Sequence, residues 1–185
     1  DTVLNKLFGS AEKRSGSFDV VINNAGITFV EKSMKFDSKR MREILDINVV
    51  SAGRIASMAA QQMRTSGKGG SIINVTSVLA DSTIAGLSSY AAAKAALTQL
   101  TRGMAAEWAR HGVRVNNLAP GWFPSKMTNR YVEQGIDQVL KARIPMSRLG
   151  EHNELDGACL LLASDASRYM TGTTITVDGG FSLIN

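Results

Sequence analysis

Four short apolar runs, set among stretches of helical pattern, constrain what this chain can fold into more than any other feature. FDVVIN (Phe18 to Asn23), SIINV (Ser71 to Val75), VRVNNL (Val113 to Leu118) and TITV (Thr174 to Val177) have the length and β-branched content of strands. Around and between them, residues from about Val3 to Arg14, Ser38 to Arg64, Ser88 to Arg110 and Glu151 to Ala163 read as helix. Such alternation predicts an α/β fold with parallel strands. The Ser38 to Arg64 stretch is expected to be interrupted near Asn48, and Gly112 is a C-terminal stop for the long helix before it. From Trp122 to Gly150 the pattern loosens. One or two helices are expected within Ser125 to Lys141, and Pro145 breaks the region. No repeat, low-complexity tract or domain boundary divides the 185 residues, so a single domain is expected.

Composition narrows the function classes. A hydrophobic content of 44% with 20% charged residues suits a soluble globular protein, and no apolar run approaches the length that spans a bilayer. The one cysteine, Cys159, rules out an internal disulfide framework and sits in the apolar run ACLLLA as an expected small core residue. A cytoplasmic location is consistent with this. The net charge of +5 is spread over dispersed Lys and Arg with acids among them, without a basic run or nucleic-acid motif. His111 and His152 lie far apart with no cysteine or acidic cluster at ligand spacing, so no metal site is expected.

Chemistry concentrates around Tyr90 and Lys94, which are four residues apart in an alanine-rich stretch, with Ser77 upstream. On a helix, positions i and i+4 share a face. The Lys94 ammonium would then approach the Tyr90 phenol, whose free pKa is about 10, and favour its phenolate. A phenol tuned in this way serves carbonyl–alcohol interconversion, and Ser77 could hold the carbonyl oxygen. Alone, Tyr-x-x-x-Lys also describes a solvated tyrosine beside a solvated lysine.

Four further signatures accompany it in order: FDVVINNAGI, LDINVVSAG with Asn48, GGSIINVTS ending on Ser77, and GVRVNNLAPG, followed by the tail TGTTITVDGG. Together with Tyr90 and Lys94 these resemble the short-chain dehydrogenase/reductase family in its ordinary branch, over nearly the whole chain. The resemblance implies a Rossmann-like doubly wound parallel sheet that here lacks the first three strands of the family fold, and NAD or NADP as cofactor. It implies Tyr90 as general acid/base and Ser77 as the group polarising the substrate oxygen. Lys94 would lower the tyrosine pKa and bind the nicotinamide ribose, and Asn48 would hold a water completing a proton relay. Asn23, Asn24, Ala25 and Gly26 would end a strand and line the adenosine side of the cofactor pocket. Pro120 and Gly121 would start the loop beside the nicotinamide. Plainer readings stand beside these: Asn48 as a partner for backbone groups at a helix irregularity, and Asn23 and Asn24 as turn residues.

Ser125 occupies the place where the family often has a threonine that bonds the nicotinamide amide, and Trp122 and Phe123 are expected to pack the loop. The segment at about 122–150 would be a substrate lid, with Met127, Tyr131, Val132 and Met146 as candidates either to line the pocket or to pack the lid. Two helical surfaces rich in Ala and Met (Ala56, Met58, Ala59, Met63; Ala95, Ala96, Met104, Ala105) would form a homodimer or homotetramer contact, or else be buried within one subunit. The tail is similar to that of 3-oxoacyl-carrier-protein reductases and of polyol or gluconate dehydrogenases, which share it. The glycine-rich turn that anchors a pyrophosphate is not found, and Gly67 to Gly70 reads as a loop between a helix and a strand. The chain is therefore expected to be a fragment or a shortened relative, with weak cofactor binding and an exposed apolar strand edge. The alternative function is that of a non-catalytic relative acting as an oligomer partner.

Overall fold

The computed structural model describes residues 2–125, 127–128 and 137–184. Helix α1 (Thr2–Ser15) leads into strand β1 (Val20–Asn23). Helices α2 (Ser38–Leu45) and α3 (Ser51–Ser66) are joined without a break by a π-helical turn, Asp46–Val50. Strand β2 (Gly70–Val75), helix α4 (Ser88–Trp108) and strand β3 (Val113–Pro120) follow, then α5 (Asp137–Ala142), α6 (Asp156–Ala163) and β4 (Thr174–Val177). The four strands form one parallel sheet in the order β1-β2-β3-β4.

Among the described residues the expected strands and helices are present, with three adjustments; much of Ser125 to Lys141, where one or two helices are expected, lies outside the described residues, and α5 is the described part. The interruption near Asn48 widens the helix by one turn and leaves it continuous, so α2 and α3 run on through it. The long helix ends in a 3-10 turn, Ala109–His111, before Gly112 takes a left-handed conformation at φ 73°. The expected helix from Glu151 to Ala163 begins as a 3-10 turn, His152–Leu155, whose Glu151 and Glu154 side chains form a reciprocal cap.

Strand periodicity sorts β2 between two cores. Ile72 faces Phe8 of α1, Ala56, Ala59, Ala60 and Met63 of α3 and Ala105 of α4. Its neighbour Ile73 points the other way, onto Leu118 and Leu162, with half-buried Cys159 packed against that cluster. Helices therefore cover both faces, as a parallel sheet requires. The buried positions of Ala56, Ala59, Met63 and Ala105 correct part of the expected subunit contact: these side chains fill one chain's own core. Ala96 is exposed, and Met58, Ala95 and Met104 are half-buried.

At one level of the sheet the register aligns Asn23, Asn74 and Asn117 across β1, β2 and β3. Asn23 donates to Asn74 Oδ1 at 2.9 Å and to the Ala52 carbonyl at 3.2 Å, while Asn74 donates to Thr101 Oγ1 at 2.8 Å. Buried amides must be paired, and this pairing fixes α3 and α4 to the strands that carry the site.

Candidate active site

Three of the expected residues meet at the C-terminal end of β2. Ser77 stands two residues beyond the strand, is buried, and caps a short 3-10 turn by accepting from Leu79 N at 3.1 Å. Tyr90 and Lys94 lie in the first turns of α4, whose alanines let the helix pack closely behind Ser77. Lys94 is only 4% exposed and donates to the carbonyl of Val75, the last residue of β2, at 2.7 Å. Its Nζ lies 5.6 Å from the centre of the Tyr90 ring.

The electrostatics differ from the expected lowering of the tyrosine pKa. Burial pushes the Tyr90 phenol above its ordinary value, and a hydrogen bond with Ser77 opposes that rise without cancelling it. Burial also lowers Lys94 from 10.5 to about 8. The geometry gives the reason: the ammonium is aimed at the Val75 carbonyl and lies over the ring, and Tyr90 itself is withdrawn from water.

Asn48 comes from the π-helical turn and is 1% exposed. Its Oδ1 accepts from Ile27 N at 2.8 Å and its Nδ2 donates to Ile27 O at 2.9 Å, so both ends of the amide hold the loop after β1. Pairing with backbone, the plainer reading of this residue, is what the side chain does. It also lies near Lys94, because a Cβ on Gly26 would be 3.3 Å from Asn48 Oδ1 and 3.5 Å from Lys94 Nζ. A side chain at Gly26 would crowd both groups.

The other candidates separate into two groups. Asn23 is buried and its amide is spent inside the fold, whereas Asn24 and Ala25 are exposed at the strand end and Gly26 is half-buried. Pro120 ends β3, and Gly121 follows so close to Asp178 that a Cβ would sit 2.7 Å from its Cα. Ser125 is exposed, and its hydroxyl caps a turn by accepting from Thr128 N at 3.2 Å. Trp122 is buried edge-on to Phe181 and Phe123 lies against Gly150, so both pack the loop. Met127 lines the cavity beside Ser77 and Tyr90, while Met146 is 65% exposed and lines a separate cleft with Arg148 and Gly179. Tyr131 and Val132 lie outside the described residues.

Several residues that shape the site escape a sequence reading. Thr28 lines the same cavity as Ser77 and Tyr90. Glu31 is buried and accepts a hydrogen bond from Ser89, the residue before Tyr90, tying the loop after β1 to α4 across 58 residues. Asp178 accepts from Gly180 N at 2.9 Å and Ser182 N at 2.8 Å, shaping the turn that abuts Gly121. Asn74 alone carried a signal, as a polar residue inside an apolar strand run.

A parallel sheet with helices on both faces, and a Ser-Tyr-Lys group at the carboxyl end of a central strand, define an oxidoreductase fold of the dinucleotide-dependent kind. Comparison with known proteins is specific on this point. The family description of enoyl-(acyl carrier protein) reductases matches residues 1–182. The chain is 37% identical over 174 residues to a gluconate 5-dehydrogenase of Gluconobacter oxydans, covering 93% of this chain and 67% of the relative. It is 37% identical over 165 residues to a 3-oxoacyl-(acyl-carrier-protein) reductase of Staphylococcus epidermidis, covering 89% and 67%. A crystal structure of a gluconate 5-dehydrogenase from Burkholderia cenocepacia, in complex with NADP and tartrate, superposes with a TM-score of 0.93 at 34% identity, covering 97% of this chain and 71% of that one. The chain belongs to the short-chain dehydrogenase/reductase family of NAD(P)-dependent oxidoreductases, and spans about two thirds of the length of these curated relatives.

The residues present suit a nicotinamide cofactor. Lys94 gives one of its three N–H donors to Val75 and keeps two for a ligand's hydroxyls, and Tyr90 and Ser77 line one cavity beside it.

Proposed function

We propose that this chain carries the site of a carbonyl reductase or alcohol dehydrogenase that uses NAD or NADP. The observation that carries this reading is the convergence of Ser77, Tyr90 and Lys94 on the end of one strand, with Lys94 anchored to that strand's last carbonyl. When bound, the nicotinamide supplies or accepts the hydride. The chain's own residues bind and move the proton. Ser77 donates to the substrate oxygen and orients it, while Tyr90 gives its phenolic proton to that oxygen on reduction and takes it back on oxidation. Burial keeps Tyr90 protonated, which suits delivery of a proton in the reducing direction. Lys94 and Asn48, with Gly26 between them, would hold the ribose and the relay through which Tyr90 recovers its proton. Asn24, Ala25, Pro120, Gly121 and Ser125 border the space for the rest of the cofactor.

The segment at about 122–150 is read as the substrate lid, supported by Met127 and Thr128 reaching the cavity. A homodimer or homotetramer through α3 and α4, using exposed Ala96 and half-buried Met58 and Met104, would be detected by analytical ultracentrifugation. Among the described residues no helix is long and apolar enough to cross a membrane. The single cysteine suits a cytoplasmic location.

The test is ketone-dependent oxidation of NADPH and NADH by wild type and by Tyr90→Phe. Loss of the proton donor should lower kcat/KM by about 10²–10⁴ with cofactor binding retained. Undiminished turnover by Y90F would sink the assignment.

A further inference from the structure

The three reacting groups are not held alike. Ser77 continues from β2, and Lys94 is tied to that strand by its bond to the Val75 carbonyl. Tyr90 sits in the first turn of α4, where backbone N–H groups have no acceptor within the helix. The residue before that turn is Leu87, whose side chain makes no capping hydrogen bond. The hydrogen bond between Tyr90 and Ser77 is not a permanent fix, because both hydroxyls turn to the substrate oxygen in the reaction proposed above. A hold on the first turn from outside the helix would keep the phenol in place while its partner changes.

Glu31 supplies such a hold. It lies in the loop after β1, is buried, and its Oε1 accepts from Ser89 Oγ at 2.5 Å, a length typical of a hydroxyl donating to a carboxylate. Ser89 is itself buried and immediately precedes Tyr90. The Glu31 backbone N–H adds a second bond, to the Gly86 carbonyl at 3.0 Å. Gly86 is left-handed at φ 86°, and a Cβ on it would lie 3.1 Å from Val30 Cγ1, so the two loops approach closely there. The other end of the same loop is held by Asn48 at Ile27. We propose that Glu31 is a positioning residue for Tyr90: through Ser89 it fixes the first turn of α4, and so the placement of the phenol relative to Ser77 and Lys94. The proposal rests on the carbonyl-reductase reading above.

The experiment follows ketone-dependent oxidation of NADPH or NADH by wild type, Glu31→Ala, Glu31→Gln, Ser89→Ala and the double variant of E31A with S89A, beside the urea midpoint of each. Misplacing the phenol should lower kcat by about 10- to 100-fold in E31A and S89A, with KM for ketone and nicotinamide within about twofold of wild type. The amide oxygen of E31Q still accepts from Ser89 and should restore kcat to within about threefold of wild type. The double variant should be no slower than the poorer single one, because both changes remove the same bond. Amide hydrogen exchange at Ala91 to Ala93, which does not depend on turnover, should quicken roughly fivefold in E31A and S89A and stay near wild type in E31Q. Wild-type kcat in E31A, a loss confined to KM or to the urea midpoint, E31Q as slow as E31A, or unchanged exchange overturns the role of Glu31; with Y90F inactive, the reductase reading stands. Y90F matching wild type overturns both.

Discussion

Lys94 keeps an ammonium almost out of water, and its lowered pKa links the site to stability. The unfolded chain holds this proton up to about 10.5, the folded chain only to about 8. Between those values the unfolded state binds more protons, so folding stability rises with pH across that window. Tyr90 works in the opposite sense only above about pH 10, where the unfolded phenol ionises first. Denaturant midpoints for wild type should therefore gain on those of Lys94→Met as pH rises from about 8 to 10. Parallel midpoints over that range would show that burial does not tax the ammonium. The i, i+4 spacing of Tyr90 and Lys94 was legible in the sequence because helical geometry is local. The direction of the ammonium was not, since its acceptor, Val75, belongs to another element 19 residues away. For the same reason the sequence reading expected a lowered phenol where burial produces a raised one.

At the scale of elements, order and type were readable from periodicity, and the contacts between elements were not. The π-helical turn at Asp46–Val50 left only a hint, an asparagine inside a helical pattern, although it is what directs Asn48 at Ile27. The Glu31–Ser89 tie joins segments with no shared periodicity, so nothing local announces it. Two glycines in helices show how far local rules reach. Gly103 of α4 is exposed, and a Cβ there meets nothing within 4 Å. Gly103→Ala should stabilise the chain by about 1 kcal/mol, the helix-propensity difference, as a raised urea midpoint. Gly53 of α3 belongs to packing, for its Cβ would come 3.0 Å from Leu100 Cδ2. No gain is expected there, and a drop in stability for G103A would place that face in a contact.

At the scale of the molecule, β1 stands at one end of the four described strands, with Ile22 47% exposed on it. An apolar strand at a sheet edge is a template for pairing with another chain. Ile22→Lys should reduce concentration-dependent light scattering while leaving the urea midpoint within about 0.5 kcal/mol, as surface changes usually do. Scattering that is unchanged would locate self-association elsewhere. The fold class and the Ser77-Tyr90-Lys94 group were legible because apolar runs and short spacings survive in one dimension. The cavity lining was not, because Thr28, Leu87 and Trp122 are brought together only by the closure of the sheet. Beneath the site, the end of β2 has a mechanical consequence. Ser77 continues directly from that strand, and Lys94 grips its final carbonyl from the neighbouring helix. The two therefore share one reference point, and a slide of the helix along the sheet has to break the Lys94–Val75 hydrogen bond before it can draw Tyr90 away from Ser77.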